Sequence, residues 1–399
     1  MSFASTAEVV SLGCRLNIAE SETIRVLLGE QRDVVVVNSC AVTNEAVKQT
    51  RAAVRRARRD RPGAEIVVTG CAATTDPAGF AAMPEVARVV TNDVKLRPDS
   101  WGAAATPHVR FAGHARAFVE VQNGCDHSCT FCIIPQGRGA SRSTPAGAVV
   151  ERVAALVEAG HREAVLTGVD LTSYGLDLPG APTLGLLVER VLHHVPELER
   201  LRLSSLDAIE IDERLFALIT GEPRVMPHLH LSLQAGSDMI LKRMKRRHSR
   251  AQAAALVERI KAARPEVAIG ADLIAGFPTE TEEMFADTLA LIGDCAIVHG
   301  HVFPYSPRGG TPAARMPQIA PEVRRERATR LRAAAGKAKT AWLASLVGTK
   351  QRVLVERPGD RGHAGNFAEV RLSAPAEPGD IATVAITSAT ETHLIGTHL

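Results

Sequence analysis

Aromatic residues make up only 4% of the 399 residues, with two Trp, two Tyr and ten Phe. Extensive base stacking is therefore not expected. Any affinity for nucleic acid should come mostly from phosphate contacts and fall steeply with salt. No stretch of about 18 uninterrupted apolar residues occurs, so no transmembrane helix is expected. The N-terminal MSFASTAEVVSLGCRLN lacks a basic start and a long apolar run, which argues against a secretory leader and for the cytoplasm. Cysteine is scarce, seven in all and an odd number, so a disulfide scaffold is not indicated. In a reducing compartment, clustered cysteines point instead to metal or catalysis. No internal repeat and no extended low-complexity tract is present.

With 45% hydrophobic residues the chain can bury substantial cores, and its length suits two or three domains. Net charge is only +3, but the cations are clustered. KQTRAAVRRARRDRP (48–62), KRMKRRHSR (242–250) and PEVRRERATRLRAAAGKAKTAW (321–342) are strongly basic. Any one run suits a solvated helix face as well as a phosphate backbone; three together favour nucleic acid. Arg51, Arg55, Arg58 and Arg59 repeat at helical spacing, and Arg243, Lys245, Arg246 and Arg247 follow a predicted strand, which makes these eight the candidate RNA contacts.

The pattern along the chain is α/β. VVSLGC (9–14), VVVVNSC (34–40) and IVVTGC (66–71) read as strands of a parallel sheet separated by helices, the second of them basic, from about Asn44 to Arg59. Each run ends in a cysteine: Cys14, Cys40 and Cys71 stand at the C-terminal ends of the strands, the edge where open parallel sheets bind ligands. From about 115 to 315, strands and helices alternate again, with strands at 163–171, 200–206, 228–234, 267–278 and 297–306. This predicts a barrel or partial barrel of parallel strands. After a basic helical linker, TKQRVLVE, NFAEVRLS, GDIATVAITSA and HLIGTHL predict a small C-terminal β-barrel. The expected domains are 1–105, 112–320, a linker 321–346, and 347–399.

NGCDHSCTFCIIPQGRG (123–139) crowds three thiols, Cys125, Cys129 and Cys132, into one loop. Structural zinc closes with four ligands, and iron–sulfur cubes usually take four Cys; three thiols leave one position open for a ligand that reacts. Zinc completed by a histidine such as His127 is the alternative on spacing alone. Cys295 matches no motif and reads as core. His228 and His230 alternate on one strand face and read as structural or cleft-lining.

NGCDHSCTFCIIP, with an aromatic before the last cysteine, resembles the signature of the radical S-adenosylmethionine (SAM) enzymes. SLGCRLNIAESE, VVVNSCAVTNEA and VVTGCAA resemble the cysteine motifs of the methylthiotransferases within that group. CIIPQGRGASRS, LTGVDLTSYG, HLHLSLQAGSDMILKRMKRRHSR, DLIAGFPTETEEMF and FPYSPRGGTPAARM resemble that family's barrel motifs, and the C-terminal segment is similar to a TRAM domain, an RNA-binding barrel. Thr279 and Ala235 depart from the usual Gly and Ser of the pattern, and the TRAM-like segment is short and sparse in basic residues. The resemblance implies two [4Fe–4S] clusters. One, on Cys125, Cys129 and Cys132, would hold and cleave SAM. The other, auxiliary, on Cys14, Cys40 and Cys71, would carry the sulfur to be transferred.

It also implies SAM contacts at Phe131, Thr167, Gly168, Asp170, Ser232, Gln234, Asp272 and Gly276, although for each polar residue among them plain structural hydrogen bonding is as good a reading. CRLN, NSCAVTNEA and TGVDLTSYG are most similar to the branch acting at C2 of N6-threonylcarbamoyladenosine-37 of tRNA. That substrate carries a carboxylate, for which Arg138, Arg142 and Arg308 are candidates. The implied partners are the tRNA anticodon stem-loop, a flavodoxin- or ferredoxin-type reductant and a sulfur source, with no membrane. The alternatives are the branches acting on isopentenyladenosine or on a ribosomal-protein aspartate, and, in another class, a non-catalytic RNA-binding protein stabilised by metal.

Overall fold

Four consecutive valines, Val34–Val37, cannot form a strand with a wet face, and the strand Val34–Ser39 is buried along its whole length. Its side chains go alternately to two cores. Val34 and Val36 join Ile24, Leu27, Val67 and Trp101, while Val35 and Val37 join Val54, Ile66, Val68 and Phe80. The strand lies between the parallel strands Glu8–Ser11 and Glu65–Gly70, and Arg88–Val90 completes a four-stranded parallel sheet. The helices Arg15–Leu28 and Asn44–Asp60 are its crossovers. This computed structural model describes residues 7–29, 33–104, 111 and 113–399; the expected leaderless N-terminus and the boundary near 105–112 fall largely outside them.

The chain forms two compact units. The first takes its residues from the ranges Met1–Phe111, Asn123–Arg142 and Ser306–Ala314, so it contains both the N-terminal sheet and the three-cysteine loop. The second takes Ala112–Gln122, Ser143–Tyr305 and Arg315–Leu399.

In the second unit, Arg116–Glu120, Glu163–Thr167 and Arg200–Leu203 form one parallel sheet. Ser205–Leu206, His228–Gln234, Ala268–Ala275 and Ile297–Pro304 form another, giving the strands of the expected partial barrel. Their N-terminal ends are tied to the C-terminal barrel by buried charge. Glu163 pairs with Arg116, Arg200 and Arg202, while Arg202 also reaches the Gly365 carbonyl at 3.0 Å and Arg200 the Arg352 carbonyl at 2.7 Å. Burial pushes the Glu163 carboxyl up, but the three guanidiniums outweigh it and hold it at about 2.

The C-terminal barrel is closed by five strands, Lys350–Glu356, Arg361–Ala364, Glu369–Leu372, Ile381–Ala389 and Leu394–His398, around Val353, Val355, Val370, Val384 and Leu394. The sequence predicts four of them and misses Arg361–Ala364, whose RGHA has no β-branched residue. It also passes over the helix Glu282–Asp294, which starts where the Thr281 hydroxyl accepts from the Met284 N–H.

Thr279, where the pattern favours Gly, has φ 67, a conformation costly for a β-branched residue. Thr279→Gly is expected to stabilise the protein by about 0.5–1 kcal/mol. The check is a denaturant midpoint: no rise, or a fall, contradicts the strain.

Candidate metal centres and the strand-end face

The three sheet cysteines sit where their strands stop. Cys14 caps the N-terminus of Arg15–Leu28, Cys40 directly follows Val34–Ser39, and Cys71 opens the helix Cys71–Thr75 after Glu65–Gly70. Because the strands are parallel, all three occupy one edge. Two glycines make this approach possible. Gly13 has φ +98, and a Cβ on it would stand 2.8 Å from Cys40 Cβ and 3.0 Å from its Sγ. Gly70 has φ +92, and a Cβ there would lie 2.4 Å from the Ser39 carbonyl. The Ser39 hydroxyl then accepts from the N–H groups of Ala72 and Ala73, fixing the turn that carries Cys71. Burial pushes the Cys40 thiol up to about 11, and the neighbouring Cys71 and Cys14 add to the rise. Like charges that resist one another are what three converging thiols produce without a cation. A metal cluster supplies that cation, so the donor set fits one.

The loop cysteines belong to the same unit and are partly exposed. The Cys125 N–H donates to the Gly139 carbonyl at 3.1 Å, the Cys132 N–H to the Cys129 carbonyl at 3.2 Å, and the Ile134 N–H points to Cys132 Sγ at 3.4 Å. Gly124, φ +74, brings its backbone so close to Ala140 that a Cβ would lie 1.9 Å from that carbonyl. These contacts fix the backbone that carries the three cysteines, and three soft donors on one loop are what a cube with one open iron takes. His127 holds a ring nitrogen within 4.8 Å of Cys125 Sγ, and no such group among the described residues joins it to Cys129 and Cys132, the set that zinc on this loop would need.

Arg138 follows this loop on the short helix Ile134–Arg138 and is almost fully buried. It donates to Glu20 at 2.7 Å, to Asn17 at 2.5 Å and to Asn123 at 2.9 Å, and Lys95 meets Glu20 at 2.6 Å. Burial opposes the charge on Glu20, but Arg138 and Lys95 hold its carboxyl at about 2. The expected role of Arg138 as a substrate cation gives way to this one. Its donors are committed to a network that ties the cysteine loop to the helix beginning after Cys14. Beside it, Asn92 donates to the Gly137 carbonyl at 2.5 Å and points to Cys71 Sγ at 3.7 Å. Sequence reasoning missed Asn92 and Lys95, which lie in no quoted motif, and Glu20, which lies in SLGCRLNIAESE but was given no role there.

Arg142 is exposed and holds the turn through the Arg138 and Ala140 carbonyls. Arg308 bonds Asn44, whose own N–H donates to Ser306 Oγ at 3.0 Å. Burial pulls the Arg308 pKa down while the nearby Cys40 raises it, which puts this cation beside the sheet cysteines.

In the second unit Thr167 ends its strand, and Gln122 Oε1 accepts from the Val169 and Asp170 N–H groups at 3.0 and 2.9 Å. A Cβ on Gly168 would lie 2.9 Å from that oxygen. Ser232 and Gln234 close the strand His228–Gln234, the latter at φ 67. At Gly276, given above as a SAM contact, the close neighbour is Arg324, 2.5 Å from a Cβ there. Asp272 lies in mid-strand rather than at the strand end, bonded to His230 at 3.0 Å. Phe131 stands in the first unit, next to Cys132.

Several cations of the basic runs are engaged by neighbouring groups of the fold. Arg51 pairs with Asp76 at 3.1 Å, and Arg58 donates to the carbonyls of Pro62, Ala64 and Glu85. Arg55 faces Glu85 at 3.9 Å. Arg243 holds the Thr279 carbonyl, Arg246 binds Asp207 and the Ser232 carbonyl, and Arg247 bridges Asp207 and Glu210. Arg59 remains exposed with no ion pair among the described residues. Cys295 is fully buried, its thiol pushed up to about 12 by burial, as a core residue.

Residues 119–292 match the Radical SAM superfamily, and residues 6–91 match the Uncharacterized protein family UPF0004. The threonylcarbamoyladenosine tRNA methylthiotransferase MtaB of Rickettsia prowazekii (strain Madrid E) is 48% identical over 383 residues, 92% of this chain and 91% of its own. The chain belongs to the radical SAM tRNA methylthiotransferase family. The tRNA-2-methylthio-N(6)-dimethylallyladenosine synthase of Erythrobacter litoralis (strain HTCC2594) is 34% identical, over 91% of this chain and 88% of its own. Among solved structures, the radical SAM methyltransferase TsrM of Kitasatospora setae, with tryptophan and a SAM analogue bound, shares the fold. Its TM-score is 0.52 at 15% identity, over 74% of this chain and 66% of that one. SAM and [4Fe–4S] chemistry come with this family. No helix among the described residues is long and apolar enough to cross a membrane.

Proposed function

We propose that this enzyme installs a methylthio group at C2 of N6-threonylcarbamoyladenosine in the anticodon loop of tRNA. The observation that carries the reading is the 48% identity along 92% of the chain to a relative of that name, against 34% to a relative named for the dimethylallyl substrate. Three cysteines at the strand ends of one parallel sheet and three on one loop support it. The C2–H bond is aromatic and inert to acid–base chemistry; cluster-bound SAM supplies the radical that makes it reactive.

The residues of this chain position and balance. Cys125, Cys129 and Cys132 would hold the SAM-binding cluster, and Cys14, Cys40 and Cys71 the sulfur-carrying one. Gly13 and Gly70 let the sheet thiols converge, and Arg308 places a cation beside Cys40. Thr167, Gly168, Asp170, Ser232 and Gln234 line the strand ends where SAM would lie. The C-terminal barrel 347–399, with Arg59 and Lys245, would meet RNA phosphates. A flavodoxin- or ferredoxin-type donor and a sulfur source complete the reading, in the cytoplasm.

The test is competition between two tRNAs in one reaction, one with threonylcarbamoyladenosine and one with isopentenyladenosine at position 37. Reading one charged or polar arm against an apolar one is worth about 10 to 150-fold. Equal rates, or a preference for the isopentenyl tRNA, would move the protein to the neighbouring branch.

A further inference from the structure

One polar group in the second unit sits along three neighbouring strands rather than at their ends. A Cβ on Gly300 would stand 2.8 Å from Ala335 on the outer helix Pro321–Ser345. Strand alternation therefore turns His299, His301 and Phe303 to the opposite, concave side of the sheet. Register pairs Asp272 with His301, and His230 with Gly270. Asp272 Oδ1 lies 3.0 Å from His230 Nε2 and 3.4 Å from His301 Nδ1, and the two imidazoles lie 4.5 Å apart. Gly270 makes the room: a Cβ there would be 2.6 Å from His230 Nδ1.

Parallel strands are usually apolar on both faces, so such a trio stands out against its frame. Its members are graded in exposure, with the side chain of His230 at 7%, Asp272 at 26% and His301 at 60%. An ionised carboxylate only accepts, so each ring turns its protonated nitrogen to Asp272. That leaves His301 Nε2 facing the open concave side. The hydrogen bonds from the two rings outweigh burial and hold the Asp272 carboxyl below its usual range. Two residues further on, about 7 Å along the strand, Phe303 offers an apolar ring that is 37% exposed. From the strand end inward the face thus presents a flat apolar plate and then a fixed pair of acceptor and imidazole. That order matches a planar base bearing a polar arm.

We propose that His230, Asp272 and His301 form the subsite for the polar amino-acid arm of the modified base, taking its hydroxyl or N–H on Asp272 and an acceptor oxygen on His301. This rests on the substrate reading above. A prenyl arm in the same place would strip water from these groups and return no hydrogen bond, which is how a polar site rejects an apolar analogue.

The experiment compares cluster-loaded wild type, His301→Leu, His301→Gln and Arg308→Met on tRNAs carrying the threonylcarbamoyl or the isopentenyl arm. SAM cleavage without tRNA and iron content are measured alongside. Wild type is expected to prefer the polar arm. His301→Leu should cut that preference roughly 10 to 100-fold, with SAM cleavage changed less than about twofold, and His301→Gln should restore part of it. If the variant loses SAM cleavage as strongly as methylthiolation, the group serves SAM and the proposal falls. It falls equally if Arg308→Met abolishes the preference while His301→Leu keeps it. A wild type that prefers the prenyl arm overturns the substrate reading along with the subsite. A wild type that prefers the polar arm, with a His301→Leu variant that does too, overturns the subsite alone.

Discussion

Protein reconstituted anaerobically with iron and sulfide is expected to lose half its iron and all reductive SAM cleavage when Cys125, Cys129 and Cys132 are replaced together by Ala. The six thiols divide into two sets on different supports. One set is spaced by a loop pinned at Gly124 and Gly139, the other by three parallel strand ends. Each set is therefore expected to bind its own metal, with neither rescuing the other. The reciprocal variant, with Cys14, Cys40 and Cys71 replaced, should also lose half the iron, yet still release 5′-deoxyadenosine, because only the loop set serves SAM. It should make no methylthiolated tRNA. Iron and labile sulfide analysis, nucleoside mass spectrometry and chromatography of 5′-deoxyadenosine read all three. Full iron in the loop variant, or methylthiolated tRNA from the sheet variant, would show that the thiols in question are structural.

Glu20→Gln is expected to destabilise the first unit by about 3–5 kcal/mol. Glu20 lies between two buried cations, Arg138 at 2.7 Å and Lys95 at 2.6 Å. A neutral amide there keeps the volume and some hydrogen bonding but leaves the two positive charges facing one another away from water. Adding Lys95→Met should recover part of the loss, since one cation is then gone and the pair is coupled. Urea unfolding of the three proteins, followed at buried Trp101 in a Trp342→Phe background, gives the comparison. A cost below about 1 kcal/mol for the single change would mean that water reaches the network and screens it.

What could be read in advance was local. The valine run of Val34–Val37 announces a strand covered on both sides, and the placement of Cys14, Cys40 and Cys71 at the ends of apolar runs announces a shared edge. The spacing of Cys125, Cys129 and Cys132 announces an open-ligand metal loop. What could not be read was pairing over distance. Arg138 sits in a motif that invites a substrate role, but its partner Glu20 lies 118 positions away. Arg246 and Arg247 look like an RNA-binding run until Asp207, 39 and 40 positions upstream, is seen to neutralise them. A basic stretch reports the sign of its own charges and nothing about the acids that fold onto it. The polar trio on the concave face was hidden for the same reason. His230, Asp272 and His301 come from three strands, and only the register brings them together.

The placement of the cysteine loop in the same compact unit as the N-terminal sheet has a consequence for how this enzyme can change over evolutionary time. Both sulfur-rich cradles rest on one set of buried ties, Glu20 with Arg138 and Asn92 with the Gly137 carbonyl. Their separation is a property of that scaffold, settled before any RNA arrives. Drift in the strands that choose the substrate can proceed without disturbing it. A single lesion at Glu20, remote in sequence from the loop, would loosen both cradles at once, so the two halves of the chemistry are inherited, and lost, as a pair.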